Sequence, residues 1–218
     1  MCFSAQASFA TSAILLLIGL RSIIQVKSSR QIMLASIPLL FSIQQLCEGI
    51  LWLTLSRNTL PFLSIMMTYS FLFFALIIWP VWIPCALSMI EKNEFSRKIL
   101  SIFTIIGSII SCYFLYSLIM QGSSAQIIGN HIFYNYYVSF FHIKRGTMAL
   151  FYCIPVIGSF FIASMPLLKF SGIALLVSVL ITIIFWKFYF TSVWCFFAAV
   201  LSILTIIALK QMNMRSDT

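Results

Sequence analysis

The chain has 218 residues, of which 62% are apolar and 8% charged, and its net charge is +9. Soluble domains carry about 25% charged residues, and four acidic with thirteen basic side chains cannot cover a globule of this length, so the composition excludes a soluble domain and indicates an integral membrane protein. The basic residues are scattered between apolar blocks without forming a basic helix face, which argues against nucleic-acid binding.

Seven apolar segments have the length of transmembrane helices, which need about 20 residues each. Uninterrupted apolar runs lack the alternation of barrel strands, so the predicted fold class is all-α, a polytopic membrane protein with one seven-helix domain over residues 1–218. The first segment is expected to be a span, because no basic region precedes it and no cleavage site of a signal peptide follows it. The predicted segments are 8–26, 32–55, 62–89, 99–120, 147–167, 170–188 and 190–209.

Basic residues predict the orientation of these helices. Alternate sides of the segments receive nine and four Lys or Arg residues, and the richer side is expected in the cytoplasm. The N-terminus is therefore predicted outside and the C-terminus inside. The nine residues are Arg21, Lys27, Arg30, Lys92, Arg97, Lys98, Lys169, Lys210 and Arg215.

Two prolines interrupt the third segment. Pro80 and Pro84 stand four residues apart in IIWPVWIP, and each removes a backbone donor from the helix. We expect a kink and two freed carbonyls near Trp79.

The connection over residues 121–146 is the longest between segments, and it is rich in aromatic and basic side chains. His131, His142 and Arg145 lie in it beside six Phe or Tyr residues. Such a composition suits an extracytoplasmic segment in the headgroup layer. Two interpretations stay open, an aromatic membrane anchor and a lid over an opening between helices.

Glu48 is a carboxylate inside the second apolar segment. It lies about six residues before the predicted outer end, or roughly 9 Å below that edge. Gln44, Glu48 and Trp52 share one helix face, with Gln45 beside it. A carboxylate facing lipid costs several kcal/mol, so this stripe is expected to point into the bundle. Loss of water disfavours the ionised form, and a neutral carboxyl is expected unless a base lies close.

Other polar and reactive side chains are predicted at the same outer end of the bundle. This convergence is either a binding site or polar contacts between helices, because Gln, Ser and Thr commonly bridge membrane helices. The candidate ligand-binding residues are Cys2, Ser4, Gln44, Gln45, Glu48, Trp52, Tyr69, His131, His142, Arg145, Trp194 and Cys195.

The cysteines give no indication of a metal centre. The six show no CxxC and no Cys/His spacing of a metal site, and five lie in apolar segments as small hydrophobes. We therefore predict no metal and no cofactor. The expected partners are membrane lipids and a small-molecule or lipid ligand, with no nucleic acid, and the oligomeric state is left open.

Four stretches of the sequence resemble a known family. They are MCFSAQASF at the start, PLLFSIQQLCEGILW in the second segment, FLFFALIIWPVWIP in the third and FTSVWCFFAAVLS in the last. These motifs are similar to those of uncharacterised bacterial seven-helix membrane proteins, a domain of unknown function. The resemblance implies seven helices and the bacterial inner membrane, and it implies no activity.

Three functions remain open at this point. The first is binding or transport of a small or lipid-like ligand in a polar pocket around Glu48 that opens toward the outer leaflet. The second, less favoured, is an intramembrane enzyme acting on a lipid or acyl group, with Cys195 or Cys2 as nucleophile. The third is a structural or partner-binding subunit. A retinal protein is excluded, because the last segment holds no lysine before Lys210 at its end.

Overall fold

The computed structural model describes residues 4–57, 60–137 and 145–216, which form a helical bundle and one β-hairpin. Several helices are composite, with short π or 3₁₀ turns between α-helical parts. The helices are α1 (Ala5–Ile24), α2 (Ser29–Arg57), α3 (Pro61–Ile90), α4 (Glu94–Gln121), α5 (Arg145–Cys153, Ile154–Gly158 and Ser159–Ile162), α6 (Pro166–Trp186) and α7 (Phe190–Leu201 and Leu204–Ser216).

Six of these seven helices are long and apolar enough to cross a membrane, which fits a multi-pass membrane protein. The exception is α5, whose apolar helical part is Met148–Ile162, although a longer segment to residue 167 is predicted from the sequence. Pro166 disfavours helical geometry at Met165, and Pro166 itself begins α6. The chain therefore turns after Ile162.

Helix α2 is the central helix of the bundle. Two thirds of its most apolar window (67%) is buried inside the protein, against 28% for α1 and 28% for α4. Helix α1 packs along it through a reciprocal serine pair, because each hydroxyl of Ser12 and Ser42 donates to the other residue's carbonyl at 2.8 Å. Gly19 allows the close approach, since a Cβ there would lie 2.5 Å from Leu39 Cγ. The residues of α2 are thus placed at the centre of the molecule.

Helix α3 contains a π turn over Phe73–Ile78, immediately before the predicted proline kink. In a π turn each carbonyl pairs with the N–H five residues later, so Ala75 would need an N–H at Pro80, which proline lacks. The freed carbonyl of Ala75 instead accepts a hydrogen bond from the Tyr152 hydroxyl of α5. Nearby, the Ile77 carbonyl accepts from Ser111 Oγ of α4 at 2.7 Å. The irregular part of α3 is therefore held by two neighbouring helices.

Helices α3 and α4 touch at backbone distance where Gly107 faces Pro80. A Cβ on Gly107 would lie 1.9 Å from the Pro80 carbonyl oxygen. A backbone atom cannot move aside as a side chain can, so only glycine fits at this crossing.

We expect Gly107→Ala to destabilise the protein by about 1–3 kcal/mol, the usual cost of overpacking, although alanine alone would favour the helix. Thermal unfolding in detergent measures this loss of stability. Gly158→Ala is the matched control, because the nearest atoms to its Cβ would be ring atoms of Phe103, at 3.1 Å or more, and a side chain can move aside. Equal melting temperatures for the two variants would contradict the tight crossing.

The connection between α4 and α5 forms an antiparallel β-hairpin, which departs from the predicted all-α fold. Strands β1 (Ser123–Ile128) and β2 (His131–Tyr136) pair in register from Ser123↔Tyr136 to Ile128↔His131. Gly129, with φ of 60°, begins the two-residue turn, as two-residue hairpin loops require. The hairpin packs against α2, α3, α4 and α7 and covers one end of the bundle.

Glu91 directly follows the C-terminal end of α3 and holds it in place. Its carboxylate accepts hydrogen bonds from the backbone N–H of Asn93 (2.9 Å), from the N–H of Ser164 (2.7 Å) and from the Ser164 hydroxyl (2.8 Å). Burial by itself would raise the pKa of Glu91, but these hydrogen bonds outweigh it and hold the pKa below its ordinary value. The ionised carboxylate therefore ties α3 to the turn between α5 and α6.

We expect Glu91→Gln to lower stability by about 1–3 kcal/mol near neutral pH, the range for hydrogen bonds to a charged group. Because the folded pKa is lowered, the contribution of Glu91 is present above the unfolded pKa and lost as pH falls through the folded value. Thermal unfolding between neutral and acid pH should show the two proteins converging in acid. Glu94→Gln is the control, since Glu94 is 80% exposed. A difference independent of pH would contradict this role.

Candidate functional site

The polar stripe of α2 is buried in the bundle. Gln44, Gln45 and Glu48 are each 0% exposed, and Trp52 is 7% exposed. Together with Trp79 of α3, and with Ser192 and Cys195 of α7, the first three residues form what we name the Glu48 cluster. These six positions lie on α2, α3 and α7, the last of which is far from the other two in sequence.

Glu48 is tied to the last helix. The Ser192 hydroxyl, also 0% exposed, donates to Glu48 Oε1 at 2.5 Å. The Gln45 amide and the Tyr134 hydroxyl of the hairpin also direct polar groups at the carboxyl, although Gln45 does not reach hydrogen-bond geometry. The carboxyl therefore faces polar groups from α2, α7 and β2.

Gln44 extends the cluster toward α3. The indole N–H of Trp79 donates to Gln44 Oε1 at 2.9 Å, and Phe41 stacks on the Trp79 ring with centroids 3.9 Å apart. The thiol of Cys195 lies close enough to Gln44 and Glu48 to interact with both. Trp79 of α3 and Cys195 of α7 thus both lie beside Gln44.

Several buried polar atoms of this region make no hydrogen bond within the described residues. They belong to glutamate, glutamine and tryptophan side chains, which between them offer both acceptors and donors. Buried polar groups are nearly always paired, and exceptions call for an explanation such as a bound molecule. The atoms are Glu48 Oε2, Gln45 Oε1, Gln45 Nε2, Gln44 Nε2, Trp52 Nε1 and Trp194 Nε1.

An apolar cavity of about 50 Å³ adjoins the Glu48 cluster. Trp79 and Cys195 belong to both, and Trp194 lies on the same wall. The remaining lining comes from α2, α3, α5, α6 and α7 and is apolar apart from a few hydroxyls. It includes Ile37, Phe41, Ile83, Tyr152, Val156, Phe160, Leu168, Leu175, Ala198, Leu201, Ser202 and Thr205.

The helices around the cavity are irregular where they line it. Val156 lies in the π turn of α5, and Ser202 lies at the break between the two parts of α7. Trp79 directly follows the π turn of α3. Irregular backbone in a membrane helix is tolerated where it borders a cavity, and π turns are frequent at functional sites. A single proline kink would account for one irregular helix. Here three helices, α3, α5 and α7, are irregular at the same cavity.

The other predicted site residues lie apart from Glu48 or outside the described residues. Tyr69 accepts a hydrogen bond from the Ser123 N–H at 3.1 Å and so holds the hairpin to α3. His131 stacks on Tyr189 at 4.5 Å, and burial lowers its pKa. Ser4 caps α1 through the Ala7 N–H.

Three predicted residues cannot be placed in the site. Cys2 and His142 lie outside the described residues, and for Arg145 only the backbone, at the start of α5, is described. Within the described ranges, no three His, Cys, Asp or Glu side chains form a group that could hold a metal ion.

The structure adds two tyrosines that the sequence analysis did not select. Tyr134 stacks on Phe71 at 4.6 Å and points its hydroxyl toward Glu48. Tyr152 lines the cavity, where its ring meets Trp194 edge-on at 5.7 Å. No pattern in the sequence of β2 or α5 singles out Tyr134 or Tyr152.

The fold and the site define a helical protein whose long apolar helices suit a membrane and enclose a carboxyl-centred polar cluster beside an apolar cavity. Residues 1–217 match a family of unknown function, DUF6629, and the chain belongs to that family. Comparisons with curated proteins and with solved structures find no match.

Glu48 and Ser192 should be energetically coupled. We expect a double-mutant cycle of Glu48→Gln and Ser192→Ala to give a coupling free energy of about 0.5–3 kcal/mol, the range for residues in contact. Unfolding in detergent gives the free energies of unfolding of the unmodified protein, the two single variants and the double variant. The control cycle pairs Glu48→Gln with Ser111→Ala, because Ser111 donates to Ile77 and shares no partner with Glu48. Additive effects in both cycles would contradict the contact.

Proposed function

We propose that this protein is a bacterial inner-membrane protein that binds an amphiphilic small molecule or lipid. Its polar head would meet the Glu48 cluster, and a short part of its apolar chain would enter the adjoining cavity of about 50 Å³. The location rests on the six apolar helices and on the family resemblance of the motifs.

One observation carries this proposal: the Glu48 cluster, which contains unpaired buried polar atoms, adjoins an apolar cavity. The two regions share Trp79 and Cys195. Ligand sites are typically apolar hollows with a few converging polar groups, and an amphiphile is the class of molecule that matches both parts at once. A small polar solute would leave the cavity unfilled, and a hydrocarbon would leave Glu48 Oε2 unpaired.

The head-group chemistry follows from the atoms available. Glu48 Oε2 and Gln45 Oε1 can accept hydrogen bonds, whereas Gln44 Nε2, Gln45 Nε2 and Trp194 Nε1 can donate them. A hydroxyl, an amide or an ester-linked glycerol offers both donors and acceptors. The bound head is therefore proposed to be a hydrogen-bonding group of this type.

Binding accounts for the structure more fully than passage through the membrane. The cavity reaches Ser202 and Thr205 at the break of α7, but its lining is otherwise apolar. A transporter of polar solutes needs a polar route with two openings. We therefore place transport second, restricted to apolar or amphiphilic molecules.

An enzymatic role is the weaker proposal. Cys195 is 3% exposed and close to Glu48, and a thiolate is disfavoured in a dry environment beside a carboxyl group. His131, which could serve as a base for such a thiol, stacks on Tyr189 in the turn before α7. The geometry gives the thiol no evident route to activation.

Quenching of tryptophan fluorescence tests the proposed binding. The probe is monooleoylglycerol dibrominated on its acyl chain, added to protein in non-brominated nanodiscs. Because Trp79 and Trp194 line the cavity, we expect saturable quenching. Glu48→Gln should weaken the apparent affinity about tenfold, which is 1.4 kcal/mol, and Ala198→Phe should abolish the saturable component by filling the cavity.

The matched control is Ala13→Phe, which adds the same ring at an exposed position of α1. It should quench like the unmodified protein. Quenching that rises linearly with probe and is equal in all four proteins would contradict a binding site and leave the Glu48 cluster as contacts between helices.

A further inference from the structure

A second site is suggested at the opposite end of the bundle from the hairpin, where three basic side chains surround a groove. Arg30 comes from the turn that opens α2, and Arg97 with Lys98 comes from the first turns of α4. The groove has a volume of about 690 Å³, within the usual range of ligand sites. We name it the basic groove. Its lining is Arg30, Ser88, Met89, Arg97, Lys98, Ser101 and Ile102.

The charge of the basic groove is strongly positive. Its lining contains three cations and no acid. The ion pair of Arg97 with Glu94, at 3.5 Å, is solvent-exposed, since Glu94 is 80% exposed and Arg97 46%. Exposed pairs of this kind are weak. Arg97 is therefore available to an anion that also meets Arg30 and Lys98.

Hydroxyl groups complete the polar lining. Ser88 donates to the Cys85 carbonyl at 2.8 Å, and Ser101 donates to the Arg97 carbonyl at 3.0 Å. Their protons are thus committed to the backbone, so the groove binds anions through its guanidinium and ammonium groups. Arginine suits phosphate oxygens because its planar fork donates two parallel hydrogen bonds.

The outward face of α4 continues the groove as an apolar ridge. Ile102, at the rim, is 54% exposed, and Ile105 and Ile109 follow at 61% and 66%. Residues at such spacing lie along one face of a helix. Met89 of α3, 38% exposed, borders the same rim. A charged groove thus leads directly into an apolar ridge about two helical turns long.

We propose that the basic groove binds the phosphate of an anionic phospholipid, with an acyl chain lying along the ridge Ile102, Ile105 and Ile109. Basic pockets between helices at the membrane surface bind anionic head groups. The juxtaposition of cations and ridge selects a molecule that is anionic at one end and apolar beyond it. This site is separate from the Glu48 cluster, and its failure leaves the proposed function untouched.

Native mass spectrometry of the full chain from nanodiscs tests the proposal. The discs contain phosphatidylcholine with or without phosphatidylglycerol, and the triple variant Arg30→Gln, Arg97→Gln, Lys98→Gln removes the cations. We expect phosphatidylglycerol to be retained on the unmodified protein and its affinity to fall at least about tenfold in the variant. The matched control removes three exposed basic residues elsewhere, Arg21→Gln, Lys169→Gln and Lys210→Gln.

Two outcomes would overturn the proposal. Equal loss of phosphatidylglycerol from both triple variants would mean that net charge attracts the lipid without a defined groove. Inorganic phosphate at millimolar concentration displacing phosphatidylglycerol completely would mean a site for free anions, since the ridge would then add nothing. Preferential retention of phosphatidylglycerol over phosphatidylcholine is measured on the unmodified protein alone. That measurement does not depend on whether a triple variant folds.

Discussion

Hydrogen bonding in a dry interior is the constraint on which this structure depends. Water is absent among apolar helices, so a buried polar group is stable only with a partner inside the protein. The Tyr152 hydroxyl on the Ala75 carbonyl and the Ser192 hydroxyl on Glu48 are two solutions of that problem. Each joins helices distant in sequence. Polar pairs therefore determine which helices meet, while apolar packing fills the space between them.

The apolar segments predicted most of the helices, because length and continuous apolarity are enough to indicate a span. The same argument could not find the β-hairpin, since each of its strands has six residues and so is too short to form an apolar run of about 20 residues. Gly129 followed by Asn130 does indicate a two-residue hairpin turn. The early end of α5 follows from Pro166, which disfavours helical geometry at Met165, and the Ser164 N–H on Glu91 adds a tertiary contact that local sequence does not encode.

The polar stripe around Glu48 was predictable because a carboxylate is costly in lipid and helical spacing then assigns Gln44 and Trp52 to its face. The stripe is buried in the structure. What could not be predicted is the set of neighbours, since the depth of a residue gives its height in the bundle and not its direction. Trp79 and Tyr134 reach the stripe through helix order and hairpin register, and both are properties of the whole fold.

The pairing of Glu48 with Ser192 has a consequence for biosynthesis. The two residues are 144 positions apart, so at 5–20 residues per second the ribosome makes Ser192 roughly 7–30 seconds after Glu48. Helix α2 is therefore made, with its carboxyl, before that partner exists. The hairpin contacts of Tyr136 with Thr191 form equally late. Completion of the core thus coincides with arrival of the final helix, and a nascent chain that stops before α7 lacks the serine that donates to Glu48.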